Sequence, residues 1–281
     1  MVVDAYHSSV AFIGAFDVLY PVFSGSAFYL YLVLMAGVSF VSVVIPTYNE
    51  AENIAATVDR TVASLLPSEA EYEILIVDDA SPDRTAAAAA LALRGRGRVI
   101  QRRAPKRSLS LSVLDGIRES RGDVIVVMDG DGNHPPELIP FLVNKIREGY
   151  DLAIASRYVK GGSSRERLSR RIISRFACCV GRVVTGIRDN TSGFFCVRKS
   201  RLGMARLAPV GFKIGLEIFV KSGINSVCEV PFTFMSRAKG RSKFGLRETA
   251  LYFCHIGKLL FYKIKSGLLT TLPGVIVKAR R

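Results

Sequence analysis

The sequence predicts an α/β fold in which a mostly parallel sheet is flanked by helices. Short apolar segments rich in Val and Ile alternate with helical patterns of about 10 to 15 residues. This alternation is typical of parallel strands joined by right-handed crossovers. Two apolar segments also end abruptly in acidic pairs, Asp78 with Asp79 and Asp129 with Asp131. Open α/β sheets bind their ligands at such strand ends.

The elements follow one another along the first half of the chain. Runs of β-branched residues indicate the strands, and capping residues or prolines indicate the helix starts. The predicted strands are Val41 to Ile45, Ile74 to Val77, Val99 to Gln101, Val124 to Met128 and Leu152 to Ala155. The first predicted helix follows Asn49 and ends at Leu65, and the second begins at Ser81-Pro82-Asp83. The third runs from Ser108 to Arg121 and the fourth from Pro135 to Glu148.

The segment from Val124 to Glu137 predicts a metal site. Its five leading apolar residues indicate a buried strand that delivers Asp129 and Asp131 to its carboxyl end. Two carboxylates at this spacing suit Mg²⁺ or Mn²⁺ and leave coordination positions for water and phosphate oxygens. The alternative is a solvated turn. A calcium-binding EF-hand is excluded because His134 and Pro140 occupy the positions of its required Gly and Glu.

The second acidic pair, Asp78 and Asp79, is predicted to face the same edge of the sheet and to contact a base or ribose. The alternative role is N-capping of the helix that follows. The sequence contains neither the glycine-rich dinucleotide turn nor the phosphate loop of NTPases. The usual dehydrogenase and NTPase interpretations therefore lack their motifs.

Composition narrows the class of partner. The chain has 39 Lys and Arg against 24 Asp and Glu, a net charge of +15, which favours an anionic partner such as a nucleotide or a membrane surface. Nucleic acid is not expected, because no aromatic residues interleave the arginines between Arg94 and Arg107. Five cysteines without a C-x-x-C pair indicate neither a disulfide framework nor a zinc site, and favour a cytosolic location.

Three segments suggest membrane association. From Val18 to Asn49 the chain has no charged residue, so residues 1–40 form either a membrane anchor or, if Met35 is the natural start, an extension. Apolar residues recur at helical spacing from Arg165 to Arg188 beside a stripe of arginines, and again from Tyr252 to Lys265 beside lysines. Such basic amphipathic helices suit a lipid headgroup region, although a solvated basic face over a core stripe has the same pattern.

The motifs, taken in order, resemble those of family 2 glycosyltransferases with the GT-A fold, and within them the polyprenyl (dolichyl) phosphate mannose synthases. The matching residues are Val43 to Glu50, Ile76 to Asp79, Ser81 to Asp83, Asp129 to Glu137, Ser156 to Gly162, Thr191 to Phe194, and Arg237 with Gly240, Ser242 and Lys243. The resemblance implies a Rossmann-like sheet flanked by helices in a GT-A domain at 41–246. A basic amphipathic, membrane-associated segment would follow at 247–281.

The resemblance also implies an activity, namely transfer of mannose from GDP-mannose to polyprenyl phosphate, with inversion, at the cytoplasmic face of a membrane. It implies Mg²⁺ or Mn²⁺ bound by Asp129, Asp131 and Asn133, with Asp129, Asp131 and Arg157 in catalysis. The implied nucleotide-sugar contacts are Pro46, Tyr48, Glu50, Asp78, Asp79, Asp129, Arg237 and Lys243. The implied contacts of the acceptor phosphate are Arg157, Arg171, Ser174 and Arg237.

Several positions depart from the family pattern and leave alternatives open. Asn133 replaces a common Gln, so metal ligation is either direct or through water. Ser108-Leu109-Ser110 replaces a Gly-Leu-Gly turn, and Arg241 replaces a frequent acidic residue. His134 is either a general base or part of a helix start. The alternatives for the whole protein are a synthase that uses a UDP-sugar such as UDP-glucose, and a non-catalytic membrane-surface module.

Overall fold

The computed structural model describes residues 40–67, 70–103, 107–203, 207, 213–235 and 246–266 of the 281-residue chain. The strands are β1 (Phe40–Thr47), β2 (Glu71–Asp78), β3 (Gly97–Gln101), β4 (Val124–Val127), β5 (Leu152–Ser156), β6 (Ser163–Ser164), β7 (Phe195–Arg198), β8 (Val227–Pro231) and β9 (Thr233–Phe234). The helices are α1 (Ile54–Leu65), α2 (Thr85–Leu93), α3 (Leu109–Glu119), α4 (Ile139–Arg147), α5 (Leu168–Thr185), α6 (Ile214–Lys221) and α7 (Leu246–Lys265).

Seven strands form one sheet in the order β3-β2-β1-β4-β7-β5-β8, and β6 pairs with β9 beside it. The neighbours among β1 to β4 are parallel, as are β5 and β8, which confirms the predicted mostly parallel sheet. β7 is antiparallel to both β4 and β5, a feature that the sequence analysis did not predict. The chain moves outward from β1 through β2 to β3 and then returns to the other side of β1 at β4. A crevice therefore opens between the carboxyl ends of β1 and β4.

The sheet is buried on both faces. On one face, Val43 of β1 and Val126 of β4 pack in a core that includes residues of α1, α2 and α4. On the other, Val44 and Val127 belong to a second core with residues of α3 and α6. Burial on both faces explains why these strands are continuous apolar runs and not alternating patterns.

Two helices begin later than predicted. The Ser81 hydroxyl donates to Asp78 Oδ1 at 2.5 Å and does not cap a helix. Arg84 then adopts a left-handed backbone with φ of 66°, so α2 begins only at Thr85, whose N–H donates to the Asp83 carboxylate at 3.1 Å. After Pro135, the residues Pro136–Leu138 form a 3₁₀ turn and the α-helix begins at Ile139.

Helix α3 packs closely on the sheet at Gly116. A Cβ atom there would lie 2.4 Å from Val44 Cγ1 and 3.0 Å from Val77 Cγ2. We expect Gly116→Ala to lower the free energy of unfolding by roughly 1 to 3 kcal/mol, because overpacking outweighs the gain in helix propensity. Gly257→Ala is the control, since Gly257 lies in α7 with no atom within 4 Å of the added Cβ. Urea unfolding that leaves Gly116→Ala as stable as Gly257→Ala would contradict this packing.

The structure bears on the predictions for the cysteines and for the membrane segments. All five cysteines are free thiols, and Cys179 and Cys254 are exposed. Among the described residues no helix is long and apolar enough to span a membrane. The apolar N-terminal segment lies outside the described residues except for Phe40, as does the chain beyond residue 266. The predicted domain boundaries therefore stay predictions.

Candidate active site

Asp78 lies at the end of β2, and its carboxylate holds the turn that follows this strand. Asp78 pairs in register with Thr47 of β1, and its carboxylate accepts hydrogen bonds from the Thr47 hydroxyl at 3.2 Å and the Ser81 N–H at 2.9 Å. The predicted alternative, in which this acidic pair caps α2, is wrong because Asp83 receives the first N–H of that helix. Asp78 is almost completely buried.

Asp79, the next residue, is linked to a separate loop. Its carboxylate accepts from the Arg102 guanidinium at 2.5 Å and from the Ser108 N–H at 2.7 Å. Arg102 is itself buried and also donates to Asp115 at 2.8 Å. The Ser108 hydroxyl accepts from the Leu111 N–H and so caps α3. Asp79 thus fixes the start of α3 beside the carboxyl end of β2.

The other predicted nucleotide contacts follow β1 or lie outside the described residues. Pro46 belongs to β1 and is buried, Tyr48 is half-buried, and Glu50 accepts from the Asn53 amide at 2.9 Å. The Arg107 guanidinium stacks over the Tyr48 ring with its carbon 4.7 Å from the ring centroid. The predicted contacts Arg237 and Lys243, with the neighbouring Gly240, Arg241 and Ser242, lie outside the described part of the chain.

The predicted metal ligands Asp131 and Asn133 are buried together. Asp131 accepts hydrogen bonds from the Asn133 backbone N–H at 3.1 Å and from its side-chain amide at 2.8 Å. This leaves Asn133 Oδ1 buried without a hydrogen-bond partner. A buried amide oxygen without a donor beside a carboxylate is suited to a hard cation.

The donor set fits a divalent cation that shares its coordination with a substrate. Among the described residues no group of three or more His, Cys, Asp or Glu side chains could hold a metal ion. The set here consists instead of two carboxylates, Asp129 and Asp131, and the oxygen of Asn133. Mg²⁺ and Mn²⁺ prefer such oxygen ligands and commonly complete their shell with water and phosphate oxygens.

His134 fixes the loop that carries Asp129. Its Nδ1 atom accepts the Asp129 backbone N–H at 3.0 Å, and its Nε2 atom lies 3.8 Å from the Asp129 carboxylate. The ring stacks on Phe194 at 5.2 Å and is buried. Burial lowers the pKa of His134 to about 4, although the nearby Asp131 acts in the opposite direction. A neutral, buried ring that supports Asp129 fits better with a structural role than with a general base at neutral pH.

The burial of His134 predicts a loss of stability in acid. The ring titrates with a pKa of about 4 in the folded protein and 6.5 as its ordinary value, so its stabilising contribution is present above pH 6.5 and is lost as the pH falls towards 4. We expect this loss to reach about 3 kcal/mol at pH 4. Urea unfolding between pH 7 and pH 4 should therefore show a steeper decline for the wild type than for His134→Asn.

The second buried histidine, His255, does not affect the comparison between wild type and His134→Asn. Its pKa is also lowered by burial, but it is present in both proteins and contributes equally to both curves. Parallel stability curves for wild type and His134→Asn would contradict the assignment to His134.

Arg157, the predicted phosphate ligand, is held in a buried network. Its Nε and Nη2 atoms donate to the two oxygens of Asp189 at 2.8 and 2.7 Å, and Nη2 also donates to the Thr191 hydroxyl at 2.8 Å. The guanidinium lies over the rings of Tyr158 and Phe234. Burial opposes the charged form, but the hydrogen bonds and charge of Asp189 outweigh it and raise the pKa of Arg157.

The first half of α5 lies against the same loop. The Tyr158 hydroxyl donates to the Ser174 hydroxyl at 2.9 Å, and the Arg175 guanidinium stacks over the Tyr158 ring. The structure thus brings the predicted acceptor residues Arg157 and Ser174 together through Tyr158. Arg171, also predicted, is exposed on the same helix.

The sequence analysis missed two residues of this site. Asp189 is completely buried and holds Arg157, but it is 32 positions away in the chain. Lys213 donates to the Thr191 carbonyl at 2.5 Å; burial lowers the pKa of its amine, while the charge of Asp129 raises it. The only local signal for Lys213 was a lone cation before the apolar helix α6.

The motif from Thr191 to Phe194 lies between Arg157 and the loop that carries Asp129. A Cβ atom at Gly193 would lie 3.4 Å from Asp129 Oδ1 and 3.5 Å from His134 Cε1. The backbone of Gly193 therefore lies directly against the Asp129 carboxylate. The loop connects the phosphate-binding candidates to the metal-binding candidates.

Comparison with known proteins finds a matching family model and several similar sequences. The model of a family described as Glycosyl transferase family 2 matches residues 42–205. Dolichol-phosphate mannosyltransferase of Pyrococcus furiosus is 45% identical, covering 84% of this chain and 70% of its own. The protein of that name from Saccharomyces cerevisiae is 34% identical, covering 79% and 87%. Polyprenol monophosphomannose synthase of Mycolicibacterium smegmatis is 40% identical, covering 72% and 79%.

Solved structures share the fold. Glucosyl-3-phosphoglycerate synthase of Mycobacterium tuberculosis, in complex with Mn²⁺, UDP-glucose and glycerol 3-phosphate, superposes with a TM-score of 0.61 at 19% identity, covering 83% of this chain and 82% of that one. Another structure of that enzyme contains Mg²⁺ and UDP. At this identity the likeness supports the architecture alone, and it confirms the predicted GT-A arrangement.

Proposed function

The chain belongs to glycosyltransferase family 2, and from its similarity to dolichol-phosphate mannosyltransferases we infer that it transfers mannose from GDP-mannose to a polyprenyl (dolichyl) phosphate. The observation that carries the proposal is the convergence of Asp129, Asp131 and Arg157 on one edge of the sheet in a chain 45% identical to a dolichol-phosphate mannosyltransferase. In the reaction a phosphate oxygen of the acceptor forms a bond to the anomeric carbon as the bond to the GDP oxygen breaks. Attack from the opposite face inverts that carbon.

The donor nucleotide would lie along the carboxyl ends of β1 and β2. Pro46, Tyr48 and Glu50 line the first of these ends, and Asp78 and Asp79 the second. Both carboxylates are already fixed by hydrogen bonds, so they offer a rigid surface to the base and ribose. A pre-formed site costs little ordering entropy when a ligand binds.

A divalent cation would be held by Asp129, Asp131 and Asn133. When bound, Mg²⁺ or Mn²⁺ would neutralise charge that builds on the departing diphosphate. The chain's own residues prepare this site, because His134 fixes the backbone of Asp129 and Asp131 orients the side chain of Asn133. The Asn133 Oδ1 atom, buried without a protein donor, could accept the cation directly or one of its water ligands.

The acceptor phosphate would be received by Arg157, Arg171 and Ser174. A phosphate monoester is already largely dianionic at neutral pH and can attack without a strong protein base. This agrees with the neutral state of His134. The Asp189 carboxylate keeps Arg157 charged and in place, so the guanidinium is ready for a phosphate without reorganisation.

Arg171 provides a test of the acceptor assignment. We expect Arg171→Ala to raise the KM for polyprenyl phosphate by roughly tenfold, because one exposed charge-assisted contact is lost. The KM for GDP-mannose should change less than about twofold. Arg182→Ala is the matched control, since Arg182 is an exposed arginine near the other end of α5. Equal increases in both KM values would contradict the assignment.

A membrane surface would supply the acceptor, and the exposed faces of α5 and α7 support that location. Apolar side chains that a soluble surface would normally bury are exposed along both helices: Leu168, Ile172, Phe176 and Val183 on α5, and Phe253, Phe261 and Ile264 on α7. Arginines and lysines flank them. This combination suits the boundary between anionic headgroups and acyl chains, and we assign it to the cytoplasmic leaflet.

A transfer assay with the purified protein tests the proposed reaction. The protein would be incubated with Mg²⁺ or Mn²⁺, polyprenyl phosphate and radiolabelled GDP-mannose, UDP-glucose or another sugar nucleotide, with label in the organic phase as the readout. We expect transfer from GDP-mannose that EDTA abolishes. Transfer from a UDP-sugar alone would replace the donor assignment. Absence of lipid-linked sugar with every donor would support the non-catalytic alternative.

A further inference from the structure

Asn190 lies between the two residues that hold Arg157. Its neighbours in the chain are Asp189 and Thr191, whose side chains accept the hydrogen bonds from the Arg157 guanidinium. The Asn190 side chain is itself buried and belongs to a different set of contacts. A shift of the Asn190 backbone would therefore move both partners of Arg157.

The Asn190 side chain fastens this loop to helix α5. Its amide nitrogen donates to the Cys178 carbonyl of α5 at 2.8 Å and to the Ile187 carbonyl at 3.1 Å. Its oxygen accepts from the Tyr252 hydroxyl at 3.1 Å. Because both hydrogens and the oxygen of this buried amide are used, its orientation is fixed.

Tyr252 brings α7 into the same junction. Its hydroxyl also lies 2.7 Å from the Ala177 carbonyl of α5, and its side chain is buried in a cluster formed by α5, α6 and α7. Burial raises the pKa of Tyr252, so the hydroxyl stays protonated and donates at neutral pH. The junction is closely packed, because a Cβ atom at Gly181 of α5 would overlap with Asn190 Oδ1 and with the Tyr252 hydroxyl.

We propose that Tyr252 is a positioning residue for the acceptor phosphate and acts through Asn190 on the partners of Arg157. The inference rests on the proposed function, in which Arg157 receives that phosphate. Without the Tyr252 hydroxyl, the buried Asn190 oxygen loses its donor, and an unsatisfied buried oxygen favours rearrangement of the side chain. Asp189 and Thr191 then shift, and the guanidinium shifts with them. Its directed hydrogen bonds to a phosphate weaken with such a displacement.

This role connects the membrane-facing helix α7 with the acceptor site. Phe253, the residue after Tyr252, is among the exposed apolar side chains assigned above to the membrane surface. One turn of α7 therefore faces the lipid and also supports the loop that holds Arg157. Tyr252 lies outside residues 42–205, which the family model matches. The acceptor site thus depends on a helix that follows the matched domain.

Equilibrium binding tests this role without requiring turnover. Farnesyl phosphate, and separately GDP with Mn²⁺, would be titrated by calorimetry into wild type, Tyr252→Phe and Tyr262→Phe. Tyr262→Phe is the control, because it removes a hydroxyl from the same helix at a ring that lies against Lys221. We expect Tyr252→Phe to bind farnesyl phosphate about fivefold more weakly and GDP with less than about a twofold change. The control should bind both probes as the wild type does.

A second comparison shows whether Tyr252 acts through Arg157. The same titrations would be made with Arg157→Lys and with the double variant Arg157→Lys/Tyr252→Phe. The effects of two residues in one network are not additive. In the Arg157→Lys background we therefore expect Tyr252→Phe to weaken farnesyl phosphate binding by less than about twofold.

Three results would overturn the inference. The first is equal affinity of Tyr252→Phe and Tyr262→Phe for farnesyl phosphate, and the second is equal weakening of farnesyl phosphate and GDP. The third is an undiminished effect of Tyr252→Phe in the Arg157→Lys background. If the wild type does not bind farnesyl phosphate, both the inference and the acceptor assignment fail. The expected binding pattern without transfer of mannose from GDP-mannose would contradict only the proposed function.

Discussion

Asp131→Asn is expected to lower kcat at least about a thousandfold, because the proposed metal loses an anionic ligand and several kcal/mol of transition-state stabilisation. The fold should survive. The new side chain keeps one oxygen that can accept the Asn133 N–H now bound to the carboxylate at 3.1 Å. Thermal unfolding should therefore change little in the absence of metal.

The control for this prediction is Asp59→Asn on the exposed face of α1, which removes the same charge from a solvent-exposed side chain outside the proposed site. Binding of Mn²⁺ in the presence of GDP, followed by electron paramagnetic resonance, gives a readout apart from turnover. We expect it to be lost in Asp131→Asn and kept in Asp59→Asn. A variant of Asp131 that retains near wild-type turnover would mean that the metal is bound elsewhere.

The half of the site that the sequence predicted depends on local patterns. A strand that is buried on both faces is a continuous apolar run, so the end of β4 and the position of Asp129 follow from a few adjacent residues. The crossover order of β1 to β4 then determines that Asp78 and Asp129 share an edge of the sheet. These features need no knowledge of contacts between distant segments.

The part that the sequence did not predict depends on such contacts. β7 has only four residues, Phe195–Arg198, too few to reveal a periodic pattern. Its antiparallel pairing with β4 and β5 is a contact with strands distant in the chain. Asp189 could not be recognised as the partner of Arg157 because the two residues are 32 positions apart and no local pattern links them. The late start of α2 has a different, local cause, since the hydroxyl of Ser81, which was expected to cap the helix, donates to Asp78 three residues earlier.

The variant Arg157→Lys tests whether binding of the acceptor phosphate needs only the positive charge of Arg157 or also the shape of its guanidinium. Lysine keeps the positive charge beside the buried Asp189, so the pair is not broken. Its single amine cannot, however, replace a guanidinium that donates to Asp189 through Nε and Nη2 and has a third nitrogen for a phosphate. We expect kcat/KM for polyprenyl phosphate to fall by roughly a hundredfold. The free energy of unfolding should fall by only about 1 to 2 kcal/mol.

Arg157→Ala should differ from Arg157→Lys chiefly in stability. Removing the guanidinium leaves the Asp189 carboxylate, which is completely buried, without its cation, and breaking a buried pair in this way costs about 3 to 5 kcal/mol. If Arg157 served only to neutralise Asp189, lysine would restore both stability and transfer. If it also binds the acceptor phosphate, lysine restores most of the stability while transfer stays low. Urea unfolding and transfer assays on the same two variants therefore distinguish a structural ion pair from a phosphate-binding group, and we expect the second result.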